Sequence, residues 1–156
     1  MAVLRIVDHE NAPPAELEAR VAARAGSVLD RTVPGNPYAD YTFVFVPYCT
    51  GDVHSGATSM TYAPASQAWR HNGRVNVSNA FQYLASALRA PPKAVISGSS
   101  AGGFGTFHAF TKAKAAWPTA RSFLVDDSGP PLANIPTTTV AAWYASWDLG
   151  AVVADV

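Results

Sequence analysis

Residues Lys93 to Thr106 read KAVISGSSAGGFGT, and the order of residue types in that stretch decides the fold. A short apolar run, Ala94 to Ile96, ends at Gly98, small residues carry Ser100 through a turn, and a helix-compatible run begins at Ala101. The stretch predicts strand, tight turn and helix. Gly98-Ser99-Ser100-Ala101-Gly102 fits G-x-S-x-G, the nucleophile-elbow pattern that presents a serine hydroxyl at the end of a strand. The serine of such a turn has a strained backbone, so the residues two before and two after it must be small where strand and helix pass closely. Gly98 and Gly102 hold those positions, and Ala101 and Gly103 are small as well. The helix that follows aims its N-terminal amides at the hydroxyl, which makes the Ala101 N–H a candidate oxyanion donor. G-x-S-x-G also arises by chance in loops, and the flanking strand and helix weigh for the catalytic reading. Two rival glycine loops fail on spacing: Phe104, not lysine, follows Gly103, and the glycines at 98, 102, 103 and 105 do not make G-x-G-x-x-G.

Working outward, the whole chain has 156 residues, which predicts one domain over 1–156. Hydrophobic residues make up 49% and charged residues 14%, which argues for a buried core and against disorder. Eleven Lys plus Arg balance eleven Asp plus Glu, so no basic field invites nucleic acid or an anionic membrane. Cys49 is the one cysteine, so no internal disulfide is possible. Arg5, Asp8 and Glu10 interrupt the N-terminal MAVLRIVDHENAPP, which therefore does not read as a secretory leader, and no run approaches the ~20 apolar residues of a membrane-spanning helix. The expectation is a soluble chain with no export address, its compartment left open.

Taken in order, Ala15 to Ala25 predicts a short amphipathic helix ended by Gly26. Tyr41 to Val46 is aromatic and β-branched and predicts a buried strand stopped by Pro47. The segment YCTGDVHSG, Tyr48 to Gly56, leaves that strand at its C-terminal end, where ligands bind in open parallel sheets. Ala57 to Gly73 shows no period and is expected to be irregular. Asn76 or Ser78 is expected to cap a helix running to Ala90, with Phe81, Leu84, Ala85 and Leu88 on one face. The helix from Ala101 to Ala116 carries Phe104, Phe107, Phe110 and Thr111 in register. A third strand, Arg121 to Val125, opens into DDSGPP, and Thr137 to Trp147 predicts a last helix with Val140, Trp143 and Trp147 aligned. Alternating strand and helix imply a parallel sheet with right-handed crossovers.

Three blocks, NPYADYTFVFVPYCTGDVHSG (36–56), HNGRVN (71–76) and VISGSSAGGFG (95–105), with LVDDSGPP (124–131) after them, resemble the pectin acetylesterase and Notum family of serine carboxylesterases, in particular its bacterial members. The resemblance covers roughly residues 30 to 150. It implies an α/β fold, a three-layer α/β-hydrolase-like parallel sheet, incomplete here, so that the domain is partial and the chain truncated. It implies hydrolysis of acetyl or longer acyl esters on polysaccharides or a lipidated protein, with Ser100 as nucleophile and Ala101 as oxyanion amide. Tyr48, Asp52 and Gly102 are expected at the substrate, an acylated carbohydrate or small ester, and no cofactor or metal is expected. The family's upstream glycine-rich block with adjacent tryptophan and cysteine has no counterpart between Met1 and Asp40.

In this family the triad acid and histidine follow the serine, yet His108 is the one histidine after Ser100. It lies eight positions along the same helix, about 12 Å up the axis, too far to deprotonate the hydroxyl. His54 and His71 are the substitutes for the base, with Asp52 or Asp126 as orienter, although loop histidines are more often structural and strand-end carboxylates more often cap loops. Asp52 and His54 alone are too few for a metal. Two readings stay open: a serine esterase, or a non-catalytic homologue lacking the triad histidine that at most binds carbohydrate. A sheet cut short also predicts self-association through an open edge, with Trp143 and Trp147 exposed.

Overall fold

The computed structural model describes residues 2–8 by their backbone, then 15, 19, 25–129 and 135–150. In chain order its elements are β1 (Ala2–Asp8), β2 (Thr42–Tyr48), β3 (Thr58–Met60), β4 (Trp69–His71), α1 (Gly73–Ala87), β5 (Lys93–Ser99), α2 (Ala101–Ala116), β6 (Arg121–Asp127) and α3 (Thr137–Trp147). Four strands form one parallel sheet in the order β2-β1-β5-β6, and β3 and β4 form a separate antiparallel pair. The chain leaves β1 for β2 on one side and crosses back to β5 on the other, so the strand order reverses between β1 and β5. This mixed α/β arrangement is consistent with an incomplete α/β-hydrolase-like fold.

β1 is the element that sequence reading missed. The β-branched and aliphatic residues of AVLRIVD suit a strand, and it pairs with both β2 and β5. β2 does not stop at Pro47 but continues to Tyr48. Among the described strands it lies at the edge of the sheet, where a proline lacking its N–H forfeits no ladder bond on the outer side. The expected irregular excursion holds the short β3–β4 pair.

α1 begins at Gly73, ahead of both expected caps, and no neighbouring side chain caps it. Its cap is supplied from far along the chain: the Gly73 N–H donates to Asp52 Oδ2 at 2.7 Å. A carboxylate there satisfies an orphan amide and complements the helix dipole. Val77, Phe81 and Leu84 form the buried face with Leu88 packed alongside, whereas Ala85 is exposed.

α2 has the expected bounds but turns a different face inward. Gly102, Gly103, Gly105, Thr106, His108, Ala109 and Ala113 are buried, Phe104 and Phe110 are half-buried and Phe107 is 52% exposed. The reason is distance: a Cβ on Gly98 of β5 would overlap the Gly102 carbonyl, so the helix lies too close to the sheet for large side chains. The core between the sheet and α1 and α2 is built on Val46, Val77, Phe81, Ile96, Ala109 and Trp117. On the opposite face Tyr41 and Val95 pack with Tyr38 and Phe43.

β6 pairs only with β5 among the described strands, and its outward residues Phe123 and Val125 are 42% and 46% exposed. α3 buries no residue, and Trp143 and Trp147 are half-buried, stacked at 5.3 Å. The helix expected over 15–25 lies outside the described residues except Ala15, Ala19 and Ala25. The first two are helical, Ala25 is in a turn, and Gly26 after it has φ +78. Among the described residues no helix is long and apolar enough to cross a membrane.

Candidate active site

Ser100 joins β5 to α2 with φ 55 and ψ −121, a backbone conformation that L residues rarely hold. Three contacts fix it. Its N–H donates to the Asp127 carbonyl at 3.0 Å, and its own carbonyl accepts from the Gly103 N–H at 2.8 Å and the Phe104 N–H at 3.3 Å. The side chain is exposed, and its hydroxyl makes no hydrogen bond among the described residues. The N–H groups of Ala101 and Gly102, the first two of α2, likewise meet no acceptor among the described residues. Ser100 therefore sits at the positive end of a helix with unspent donors beside it.

Val53, His54 and Ser128 also have positive φ, 49, 61 and 63. These residues follow the C-terminal ends of β2 and β6, so with Ser100 the strain collects along one sheet edge. Register lines the edge up. Ile6 of β1 pairs with Gly98, and Asp8 pairs with Tyr48, so two more residues along β5 bring Ser100 level with Tyr48. Two interstrand spacings, about 10 Å, separate them.

The YCTGDVHSG segment is organised around Asp52, which is fully buried. Its Oδ1 accepts from Thr50 Oγ1 at 2.5 Å and the His54 N–H at 3.1 Å; its Oδ2 accepts from the Gly56 N–H at 3.1 Å and the Gly73 N–H at 2.7 Å. Four donors occupy this carboxylate from within its own loop and from α1. Tyr48, also buried, accepts from the Val53 N–H through its hydroxyl at 2.8 Å and lays its ring 4.7 Å from that of His54.

His54 is 1% exposed and wedged between helices. A Cβ on Gly73 would come within 2.5 Å of its Cα, and one on Gly105 within 2.8 Å of its Cβ. Its Nε2 is buried without a hydrogen-bond partner, and burial pushes its pKa down to about 3. His71 differs: Nδ1 donates to the Thr50 carbonyl and Nε2 shares a hydrogen bond with the Tyr62 hydroxyl, both at 2.8 Å. A carbonyl can only accept, so Nδ1 carries a proton, and both ring nitrogens are committed. His108 lies buried on α2, its Nε2 3.2 Å from Ser78 Oγ. His9 lies outside the described residues.

Asp126 is half-buried at the end of β6 and accepts from the Gly129 N–H at 2.9 Å. A Cβ on Gly103 would run into its Oδ1, so this carboxylate lies against the first turn of α2, next to the Ser100 turn. Gly102 is buried beneath that turn, and Cys49 is exposed. Among the described residues no cluster of three or more His, Cys, Asp or Glu could hold a metal ion. The strain along the sheet edge and the tertiary cap from Asp52 escaped sequence reading. The glycines at 56, 73 and 105 were the signal for the close packing that produces them.

A parallel α/β sheet carrying an exposed serine in a strained turn between strand and helix defines an α/β-hydrolase-like class. The pectinacetylesterase family profile matches residues 21–145, and the chain belongs to that family. Comparison with curated proteins finds no match. Membership supports a carbohydrate esterase type of function.

Asp52→Asn replaces two acceptor oxygens with one and puts an amide among donors; a loss of about 2–3 kcal/mol in urea unfolding is expected, and an unchanged midpoint would show that the four contacts contribute little. His54 makes a second prediction. The unfolded chain takes up a proton there below pH 6.5, while the folded chain resists until about pH 3. The folded state keeps this contribution above pH 6.5 and loses it as pH falls through that window. The stability advantage of the wild type over His54→Gln should therefore shrink from about pH 7 to about pH 4; a constant difference across that range counts against it.

Proposed function

We propose that the chain is a serine-dependent carbohydrate esterase acting on acylated, pectin-like polysaccharide. The observation that carries this is Ser100 itself: exposed, strained, at the N-terminus of α2 and beside the unspent N–H groups of Ala101 and Gly102. Ser100 Oγ attacks the acyl carbon and gives up its proton, the two amides hold the oxyanion, and the sugar hydroxyl leaves with a proton. Water then hydrolyses the acyl-enzyme and restores the serine. Of the expected bases, His54 is the one with an uncommitted ring nitrogen. A pKa near 3 makes it a weak base, so slow turnover is expected. Asp126 belongs to the site in this reading as the carboxylate set against the first turn of α2.

Two observations favour the second reading, a carbohydrate-binding homologue without catalysis: both nitrogens of His71 are committed, and His54 is buried. The edge of β6, unpaired on its outer side among the described strands, and the exposed Phe123 and Val125 support self-association in either reading. Size-exclusion chromatography should then show a mass above the monomer that falls on dilution, and a constant monomer rejects it.

Hydrolysis of p-nitrophenyl acetate separates the two readings. Ser100→Ala should lower the rate at least about 100-fold, and His54→Gln should lower it further than its effect on folding explains. Equal rates for wild type and Ser100→Ala would remove the serine mechanism and leave the binding reading.

A further inference from the structure

β6 reads Arg121-Ser122-Phe123-Leu124-Val125-Asp126-Asp127 and pairs only with β5 among the described strands. Bonds at its two ends show which backbone groups face β5. The Arg121 N–H donates to the Pro92 carbonyl at 3.1 Å, and the Asp127 carbonyl accepts from the Ser100 N–H at 3.0 Å. The odd-numbered residues therefore spend their backbone groups on β5, and Ser122, Leu124 and Asp126 turn theirs to the outer side. Side chains alternate as well: the odd residues are exposed, and the even ones, of which Asp126 lies against α2, are half-buried.

This edge is complementary to a second copy of itself. Turned antiparallel about Leu124, the strand sets Arg121 opposite the partner's Asp127, Phe123 opposite the partner's Val125, Ser122 opposite the partner's Asp126, and Leu124 opposite the partner's Leu124. Backbone and side chains agree. The outward groups of 122, 124 and 126 meet in hydrogen-bonded pairs, while the exposed residues fall in the non-bonded pairs, where side chains approach most closely. There an aromatic ring meets a β-branched side chain and a cation meets a carboxylate, each twice by symmetry. No carboxylate pairs with Arg121 among the described residues, and its guanidinium lies 5.7 Å from the Phe123 ring. Within one strand Arg121 and Asp127 stand about 20 Å apart, so the two-fold is what brings the charges together.

Other registers fail. A slip of one residue sets outward backbone groups against inward ones. A slip of two sets Arg121 opposite Val125 or Gly129 and leaves the charges unmatched. β2, the other edge among the described strands, is the poorer candidate, because Pro47 has no N–H to give.

We propose that two copies of the chain join through β6 in this register, making one continuous sheet across a two-fold axis at Leu124. The proposal is independent of the esterase mechanism; it rests on the self-association reading and gives it a geometry. It also carries a residue toward the candidate site: the partner's Arg121 stands beside Asp127, whose carbonyl holds the Ser100 N–H.

The test is sedimentation equilibrium of the full chain with two charge reversals. Wild type should show a monomer–dimer equilibrium that weakens with added salt. Arg121→Glu and Asp127→Arg each set like charges opposite one another at both ends of the interface, and each should weaken the dimer about tenfold or more. Mixed in equal amounts, the two variants match opposite charges in both pairs again, and a heterodimer of wild-type strength should form. Both positions are exposed, so each variant should keep the wild-type circular dichroism. Variants that self-associate like wild type, or a mixture that stays monomeric, overturn the register. A wild-type monomer at every concentration overturns the pairing itself and leaves the edge to another segment of the chain. No ester enters the measurement, so the esterase reading is judged by its own assay.

Discussion

The close approach of α2 to the sheet is the constraint on which the site depends. A Cβ at Gly98 would enter the Gly102 carbonyl, one at Gly103 would enter the Asp126 carboxylate, and one at Gly105 would come within 2.8 Å of the His54 Cβ. Three neighbours therefore lean on one helix from different sides: β5 beneath it, the end of β6 at its first turn, and the loop after β2 at its second. Each contact exists because a glycine leaves room for it. Together they bring Ser100, Asp126 and His54 to one end of the molecule from distant parts of the sequence. The outward phenylalanines of the same helix follow from this, because large side chains do not fit between it and the strands.

Asp52 is the polar counterpart of that packing. A buried carboxylate without partners would be costly, and here four donors meet it. Its bonds bend the chain through two consecutive positive-φ residues, Val53 and His54, and begin α1. Positive φ costs a β-branched residue such as Val53 about 1–3 kcal/mol, and the carboxylate contacts are of the size needed to offset it. The pairing also explains why YCTGD-x-H and HNG occur as separate blocks. Gly56 and Gly73 lie against Asp52, and His71 reaches back to Thr50. Motifs that resemble ligand-binding loops are here also the joints of the fold.

The sequence disclosed what local pattern controls. The bounds of α2 and α3 and the strands before and after α2 follow from apolar runs and the G-x-S-x-G turn. What it hid was set by tertiary contacts. The start of α1 depends on a carboxylate 21 residues upstream, so no local cap marks it. The inward face of α2 is chosen by the space above β5, against the pull of its phenylalanines. β1 escaped because a charged residue, Arg5, broke the run, while its place in the sheet depends on pairing with β2 and β5 on either side. The strained turn at Ser100 was legible through its spacing. The different states of His54 and His71 were not, since burial and hydrogen-bond partners, rather than residue type, separate them.

Those two states bear directly on the chemistry. His71 is held between a carbonyl and a tyrosine hydroxyl, so using it as a base would cost a partly buried hydrogen bond on each turnover. His54 keeps a ring nitrogen without a partner, but the burial that protects it also lowers its affinity for a proton. A serine flanked by unspent amides can stabilise an oxyanion without help from either ring, whereas formation of the alkoxide needs a proton acceptor. The geometry therefore favours oxyanion stabilisation over deprotonation. On the proposed esterase reading, the leaving group and the placement of the substrate then count for more than base strength.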